Sequence, residues 1–303
     1  MSAASCVHAV VVSYRSDPQR LARQFDRLLE QVSAIVWVDN ASGDGLRALA
    51  SRWPAERLHA IWLGDNQGIG AAQNRGMERA LALGASHVLL MDDDSLPAPD
   101  MVPRLLAALA AHPQAAAVGA CHVDPRRETG RTPFSVVAGG RLRWLECSDV
   151  RQVWEVDHVI ASGCLIPATA LQAVGWMRED FFIDWVDTEW CLRARDRGYR
   201  IYGVCAALLD HTLGDRVVRV LGREIPYHAP WRHYYQARNF VLMLRACRMG
   251  RVPKFHMVLR QLRRFIVFSI LVPGRWQYFK MWVRGLLHGY QGRSGPLVRP
   301  GSR

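Results

Sequence analysis

Four short apolar runs between residues 9 and 91 each give way to a polar or acidic residue, and this pattern limits the possible folds more than any other feature of the chain. Residues 9–12 lead to Ser13-Tyr14, 34–38 to Asp39-Asn40, 60–63 to Asp65-Asn66 after one glycine, and 88–91 to Asp92. Such runs read as buried strands. After the first, Asp17 and Pro18 supply an N-cap and a proline at the first helical position. Leu21, Phe25, Leu28, Leu29 and Val32 then recur at helical spacing. A second helix is predicted over 69–83, stopped by Gly84. Strand and helix alternating through short connections predict an α/β fold, a mainly parallel sheet covered by helices. Ligands of such sheets bind beyond the carboxyl ends of the strands. Tyr14, Asp39, Asn40, Asp65, Asn66 and the run Asp92-Asp93-Asp94 all fall there.

Past residue 120 the pattern weakens. A strand is predicted over 156–160, leading into Ser162-Gly163-Cys164, then a helix over 187–197 closed by Gly198 and a strand over 199–204. The charge is unevenly placed. The chain carries +12 overall, yet from Thr212 onward 16 arginines and 2 lysines face only Asp215 and Glu224. The reading is therefore a mildly acidic body, 1–225, and a basic amphipathic helical region, 226–303. In the latter, Phe255, Val258, Leu259, Leu262 and Ile266 share a face flanked by Arg260, Arg263 and Arg264. Cations interleaved with Trp, Phe and Leu suit an anionic membrane surface. A basic, Arg-rich chain also raises a nucleic-acid-binding protein as a distant alternative. No recognisable nucleic-acid motif accompanies the charge, so no nucleic acid is expected. The longest apolar run, 265–272, is too short to span a bilayer, and the N-terminus lacks a secretory pattern. The seven cysteines include no CxxC pair, which predicts reduced thiols in a cytoplasmic protein.

Three groups carry candidate chemistry. Asp92 and Asp94, two apart in extended chain, point the same way and suit a shared divalent ion such as magnesium or manganese; a solvated acidic turn is the equal alternative. Asp39-Asn40 fits a nucleobase or ribose contact or a plain strand-end turn, while the glycines of Asn66-Gln67-Gly68-Ile69-Gly70 would let phosphate approach a helix N-terminus. Between Phe181 and Trp190, Asp184, Asp187 and Glu189 lie among aromatics. Desolvation there would raise a carboxylate pKa toward that of a general base; helix capping by Asp187 with Trp190 in the core is the competing reading.

Taken in order, these segments resemble the family 2 glycosyltransferases of GT-A fold over roughly residues 7–245. Among them, the likeness is greatest to bacterial rhamnosyltransferases that use dTDP-L-rhamnose. It is carried by Val36-Trp37-Val38-Asp39-Asn40, Asn66-Gln67-Gly68-Ile69-Gly70 with Gln73-Asn74, and Asp92-x-Asp94-Ser95. It continues through Ser162-Gly163-Cys164, Phe182-Ile183-Asp184-x-x-Asp187-x-Glu189-Trp190-Cys191, His211, and His228-x-Pro230-x-Arg232-x-Tyr234-Tyr235 with Arg238-Asn239. The resemblance implies a nucleotide site at Ser13, Tyr14, Asp39, Asn40, Asn66, Gly68, Asn74 and Asp92, with Asp39 on the base. It implies Mg2+ or Mn2+ at Asp92, Asp94 and His211, and Asp187 as catalytic base. Asp184, Glu189, Trp190, Ser162 and Gly163 become further catalytic or acceptor contacts. Many relatives have Glu-Asp where this chain has Val186-Asp187, so Asp184 stays a rival base. The implied reaction is inverting transfer of L-rhamnose from dTDP-L-rhamnose to a lipid-linked saccharide or glycolipid, in cell-surface polysaccharide or rhamnolipid synthesis. The implied place is the inner face of the cytoplasmic membrane. A UDP-hexose or UDP-galactofuranose donor is the alternative.

Overall fold

The computed structural model describes residues 5–124, 130–210, 216–220, 223–270, 272 and 274–297. Its first half is the alternation expected: β1 (Val7–Ser13), α1 (Pro18–Leu29), β2 (Ala34–Asp39), β3 (Leu58–Trp62), α2 (Ile69–Ala82) and β4 (His87–Asp92). The chain goes on through β5 (Leu96–Pro97), α3 (Met101–Ala111), β6 (Ala115–Val123), the hairpin β7 (Phe134–Ala138) and β8 (Arg141–Leu145), and β9 (Val153–Glu155). Next come β10 (Cys164–Pro167), α4 (Ala168–Val174), α5 (Val186–Asp196), β11 (Arg200–Asp210), the hairpin β12 (Arg216–Val220) and β13 (Arg223–Tyr227), and helices α6 (Pro230–Ala246), α7 (Arg251–Ile270) and α8 (Arg275–Tyr290).

The central sheet runs β3-β2-β1-β4-β10-β6-β11-β5, with β9 also on β11. β3, β2, β1 and β4 are mutually parallel, as are β6 and β11; β10 runs antiparallel between the two groups. β1 is buried throughout because both faces are covered. Val10 and Val12 face the core shared with α2 and α5, while Val7, Ala9 and Val11 face the one shared with α1 and α3. Asp17 caps α1 as expected, its carboxylate accepting the Arg20 amide at 2.9 Å. Gly84, at φ +84°, ends α2 in a conformation that side chains resist.

Three expectations change. Residues 156–160 form no strand; pairing ends at Glu155. Val156 and Val159 plug into the core three residues apart, while Asp157 between them is committed to the Val137 amide and Arg195. β11 continues past Val204 to Asp210 by taking a register shift against β6. Not all thiols are free: Cys147 and Cys205 are joined, their Cα atoms 5.2 Å apart. Partners 58 residues apart leave no spacing signal in sequence.

α6 and α8 pack closely because Gly285 and Gly289 present no side chain to α6; a Cβ on Gly289 would lie 2.7 Å from the Arg238 carbonyl. No helix among the described residues is long and apolar enough to cross a membrane.

Candidate active site

Parallel pairing places Ser13 beside Asp39 and Val12 beside Asp92, so three strands deliver their polar ends to one edge of the sheet. Asp39 is almost wholly buried there. It accepts the Ser13 hydroxyl at 2.8 Å, the Ser42 hydroxyl at 2.5 Å and the Ser42 amide at 2.9 Å, and Trp37 donates to Ser13 in turn. Asn40 is joined to Asn66 at 3.1 Å and accepts the Gln67 amide at 2.9 Å, which locks the ends of β2 and β3 together. Tyr14 leaves the exposed rim of this edge with its ring free of the core.

The acidic turn after β4 is split in its roles. Asp93 turns inward, accepting the Tyr14 amide and the Ser16 hydroxyl; burial holds its pKa above the usual carboxylate value, against those hydrogen bonds. Gln24 of α1 donates to the carbonyls of Asp92 and Ser95, at 2.6 and 2.5 Å. The Ser162 hydroxyl accepts the Asp92 amide at 3.2 Å and shares a hydrogen bond with the Ser95 hydroxyl at 2.7 Å. The Gly163 amide donates to Leu90 at 2.9 Å. Ser162 and Gly163 thus brace the turn. With Asp93 withdrawn, Asp92 and Asp94 supply hard carboxylate oxygens. Two carboxylates fit a magnesium or manganese ion that completes its shell with diphosphate and water oxygens. Among the described residues no cluster of three His, Cys, Asp or Glu groups forms a metal site. His211, the third ligand implied by the resemblance, lies outside the described residues.

The glycines before α2 serve a different purpose from the one expected. Gly68 has φ +88°, and a Cβ there would lie 2.5 Å from the Phe182 carbonyl; one on Gly70 would lie 2.7 Å from that of Arg178. The Ile69 amide donates to Phe182 at 2.7 Å. Room that the sequence offered to phosphate is taken by the 178–182 backbone, and one N-terminal amide of α2 is already used. Asn74 is likewise spent inside the protein, exchanging hydrogen bonds with Met177 and donating to Glu179 at 2.9 Å.

The acid-bearing loop that follows is strained. Phe182, Asp184 and Trp185 have φ of 67°, 65° and 69°, a conformation that costs non-glycine residues on the order of 1 kcal/mol or more each. Asn239 of α6, fully buried, holds it: its amide nitrogen donates to the carbonyls of Phe181, Ile183 and Asp184 at 2.8, 2.8 and 3.1 Å. Its neighbour Arg238, also buried, donates to Phe181 and Asp180 and to the Gly295 carbonyl. Tyr234 and Tyr235 cover the guanidinium. The resemblance named Arg238-Asn239 without a task; the structure gives them one.

At the end of this loop Asp187 opens α5. It accepts the Thr188 amide at 2.6 Å and the Ala161 amide at 3.2 Å. Burial raises its pKa, the nearby Asp184 charge adds to the rise, and the hydrogen bonds oppose it. Asp184 instead pairs with Arg232. Glu189 and Trp190 make no site: Glu189 is buried in a two-pronged pair with Arg193, and Trp190 donates to Gly175 from the core. Both side chains point away because α5 turns them toward α4.

A parallel sheet edge, an acidic turn and a carboxylate at a helix start form an arrangement that a sugar-transferring enzyme can use. The Glycosyl transferase family 2 profile matches residues 9–165, more than half of the chain, and the chain belongs to that family. The dTDP-rhamnosyl transferase RfbF of Shigella flexneri is 29% identical over 299 residues, which cover 96% of this chain and 97% of that protein. The low-salt glycan biosynthesis hexosyltransferase Agl10 of Haloferax volcanii is 22% identical over 96% of this chain and 92% of its own. The same fold appears in S. aureus TarS 1-349 in complex with UDP-GlcNAc, with TM-score 0.61 and 17% identity over 95% of this chain and 81% of that one. It appears too in GalNAc-T7 with UDP, GalNAc and Mn2+, with TM-score 0.62 and 9% identity; this chain spans 57% of that structure.

Proposed function

We propose that this glycosyltransferase is an inverting, metal-dependent enzyme that moves L-rhamnose from dTDP-L-rhamnose to a saccharide or glycolipid acceptor at a membrane. The observation that carries the reading is the placement of Asp187, a half-buried carboxylate at the start of α5 held by the Thr188 and Ala161 amides; burial pushes its pKa up. The reading is supported by the likeness to a dTDP-rhamnosyl transferase along nearly the whole chain.

In this mechanism Asp187 takes the proton of an acceptor hydroxyl as that oxygen attacks the anomeric carbon. The bond from that carbon to the diphosphate breaks on the opposite face, so one displacement inverts the centre, as in single-displacement glycosidases. A divalent ion at Asp92 and Asp94 would neutralise charge on the departing diphosphate. Asp39, Asn40 and Asn66, fixed to one another or to their own loops, form the rigid edge on which the nucleoside rests.

The membrane half of the proposal rests on α7 and α8. Phe255, Val258, Leu262, Ile266 and Ile270 form an exposed stripe on α7, and Trp276, Leu287 and Tyr290 are exposed on α8. Arg251, Arg263, Arg275 and Lys280 lie exposed on the same two helices. Anionic headgroups attract such cations by about 1 kcal/mol each, which supports a position on the inner face of the cytoplasmic membrane.

The deciding experiment offers the purified protein a panel of nucleotide sugars and follows nucleoside diphosphate release. dTDP-L-rhamnose should turn over fastest. Faster release from a UDP-hexose or UDP-galactofuranose would keep the family and remove the rhamnosyl donor.

A further inference from the structure

A cavity of about 360 Å³ lies behind α5, between the β7–β8 hairpin and the start of α7. Its inner wall is apolar, with Val137, Leu142, Leu192, Met249 and Met257, and Trp185 and Thr188 bring it to the residues flanking Asp187. His256 of α7 closes one side by donating to the Gly140 carbonyl at 2.8 Å. Arg248 and Arg260 stand in the lining.

The charge in this wall is unbalanced. Of its four arginines, Arg195 and Arg200 are paired with Asp157 and Glu155, which leaves Arg248 and Arg260 against Asp196 alone, whose carboxylate accepts the Arg248 amide. No acidic residue follows Glu224 in the chain, and among the described residues no carboxylate pairs with Arg260. One turn further on, Arg264 sits where burial lowers its pKa to about 10, with Asp184 acting the other way; that carboxylate is itself held by Arg232. Arg260 is reached by solvent yet surrounded by protein, as a group at the mouth of a concavity is, and desolvation lowers its pKa as well. A solvent-reached guanidinium at the edge of an apolar cavity is available to an anion from outside the chain.

We infer that this cavity is a binding site for an amphipathic anion, with its phosphate or carboxylate head against Arg260 and Arg248 and the first part of its apolar chain along Leu192, Met249 and Met257. Pro253, His256, Met257 and Arg260 of α7 form the side of the cavity next to its mouth. The inference rests on the transferase reading only in calling the ligand an acceptor; the site itself does not need it.

The test uses the full chain and four probes sharing one tail, each below its micelle concentration: dodecyl phosphate, dodecanoate, dodecanol and dodecyltrimethylammonium, titrated by calorimetry. At least one anion should bind, about tenfold or more tighter than the alcohol, and the cation should not bind; which anion is tighter identifies the head. Arg260→Gln should weaken the anion by about tenfold, and Met249→Trp, which fills the cavity, should remove binding while circular dichroism stays unchanged. Equal binding of alcohol and anion, wild-type binding by both variants, or displacement by dTDP with magnesium would overturn the inference. So would an Arg260→Gln variant that loses phosphatidylglycerol vesicles yet keeps the soluble anion, since the cation would then serve bilayer headgroups. A protein that binds the anion but transfers no sugar would leave the site standing and remove the transferase mechanism; one that transfers sugar but ignores all four probes would do the reverse.

Discussion

Asp184 and Arg232 meet at 3.1 Å, and this contact separates two acids that lie three residues apart in the chain. The Asp184 carboxylate is already engaged by a guanidinium, which leaves it poorly placed to meet an acceptor hydroxyl. Asp187, with no such partner among the described residues and its pKa pushed up by burial, is suited to accept a proton.

Asp187→Asn should therefore lower turnover by about a hundredfold or more with little change in donor affinity, and Asp184→Asn should cost less. The wild-type rate should fall as pH drops through a value above the usual aspartate range. The sign for stability follows from the same rise. A carboxylate whose folded pKa exceeds its unfolded value favours folding below the unfolded value and loses that contribution as pH climbs through the folded one. Asp187→Asn should thus unfold at a higher temperature than wild type near neutrality, with the gap closing in acid. A crippled Asp184→Asn beside an active Asp187→Asn would exchange the two roles.

Asn239→Ala should leave three loop carbonyls without their shared donor, a loss on the order of 1–3 kcal/mol at a buried site. With the clamp gone, Phe182, Asp184 and Trp185 are free to leave their left-handed conformations. Steady-state kinetics should show kcat falling more than donor KM rises. Asn239→Asp should be as damaging, because a carboxylate cannot donate to carbonyls. An unchanged kcat in both variants would mean the loop holds its shape unaided.

Chelation tests the acidic turn. EDTA should abolish nucleoside diphosphate release, and magnesium or manganese should restore it. Asp94→Ala should stay inactive at any metal concentration while its thermal unfolding matches wild type. Full activity in chelator would remove the metal from the proposal.

For the membrane, the protein should sediment with phosphatidylglycerol vesicles and come off partly in high salt and fully in detergent. Phe255→Asp with Leu262→Asp should abolish sedimentation, since both side chains are exposed on α7 and their replacement disturbs no core. Removing everything after Tyr227 would be a poorer test, because it deletes Arg238 and Asn239 along with the helices. Persistent sedimentation of the double variant would put the contact elsewhere.

The N-terminal sheet was legible because each strand there is a short apolar run with a polar end and each helix repeats every three or four residues. Beyond residue 120 the same rules misread Val156 and Val159 as a strand, since plugging a core and alternating across a sheet both use apolar residues. The site divides in a similar way. Asp92, Asp94 and Asp187 stand out as acids where ligands bind. Glu189 and Trp190 looked alike in sequence but belong to the interior, and the Gly68 spacing fits phosphate and Phe182 equally well. Asn239 gave no signal of its role, because its partners lie more than fifty residues earlier and are backbone atoms.

The Gly295 amide donates to the Asp180 carbonyl at 2.6 Å, and the Leu297 amide to the Tyr235 hydroxyl at 2.6 Å. Residues near 295 therefore finish the support of a loop that was translated more than a hundred residues earlier. While the ribosome still holds that segment in its tunnel, the sheet has everything it needs to form, but the loop bearing Asp187 lacks its last fastening. A nascent chain would be folded before it is competent, and a bulky fusion placed close behind residue 297 would press on the same fastening in the finished enzyme.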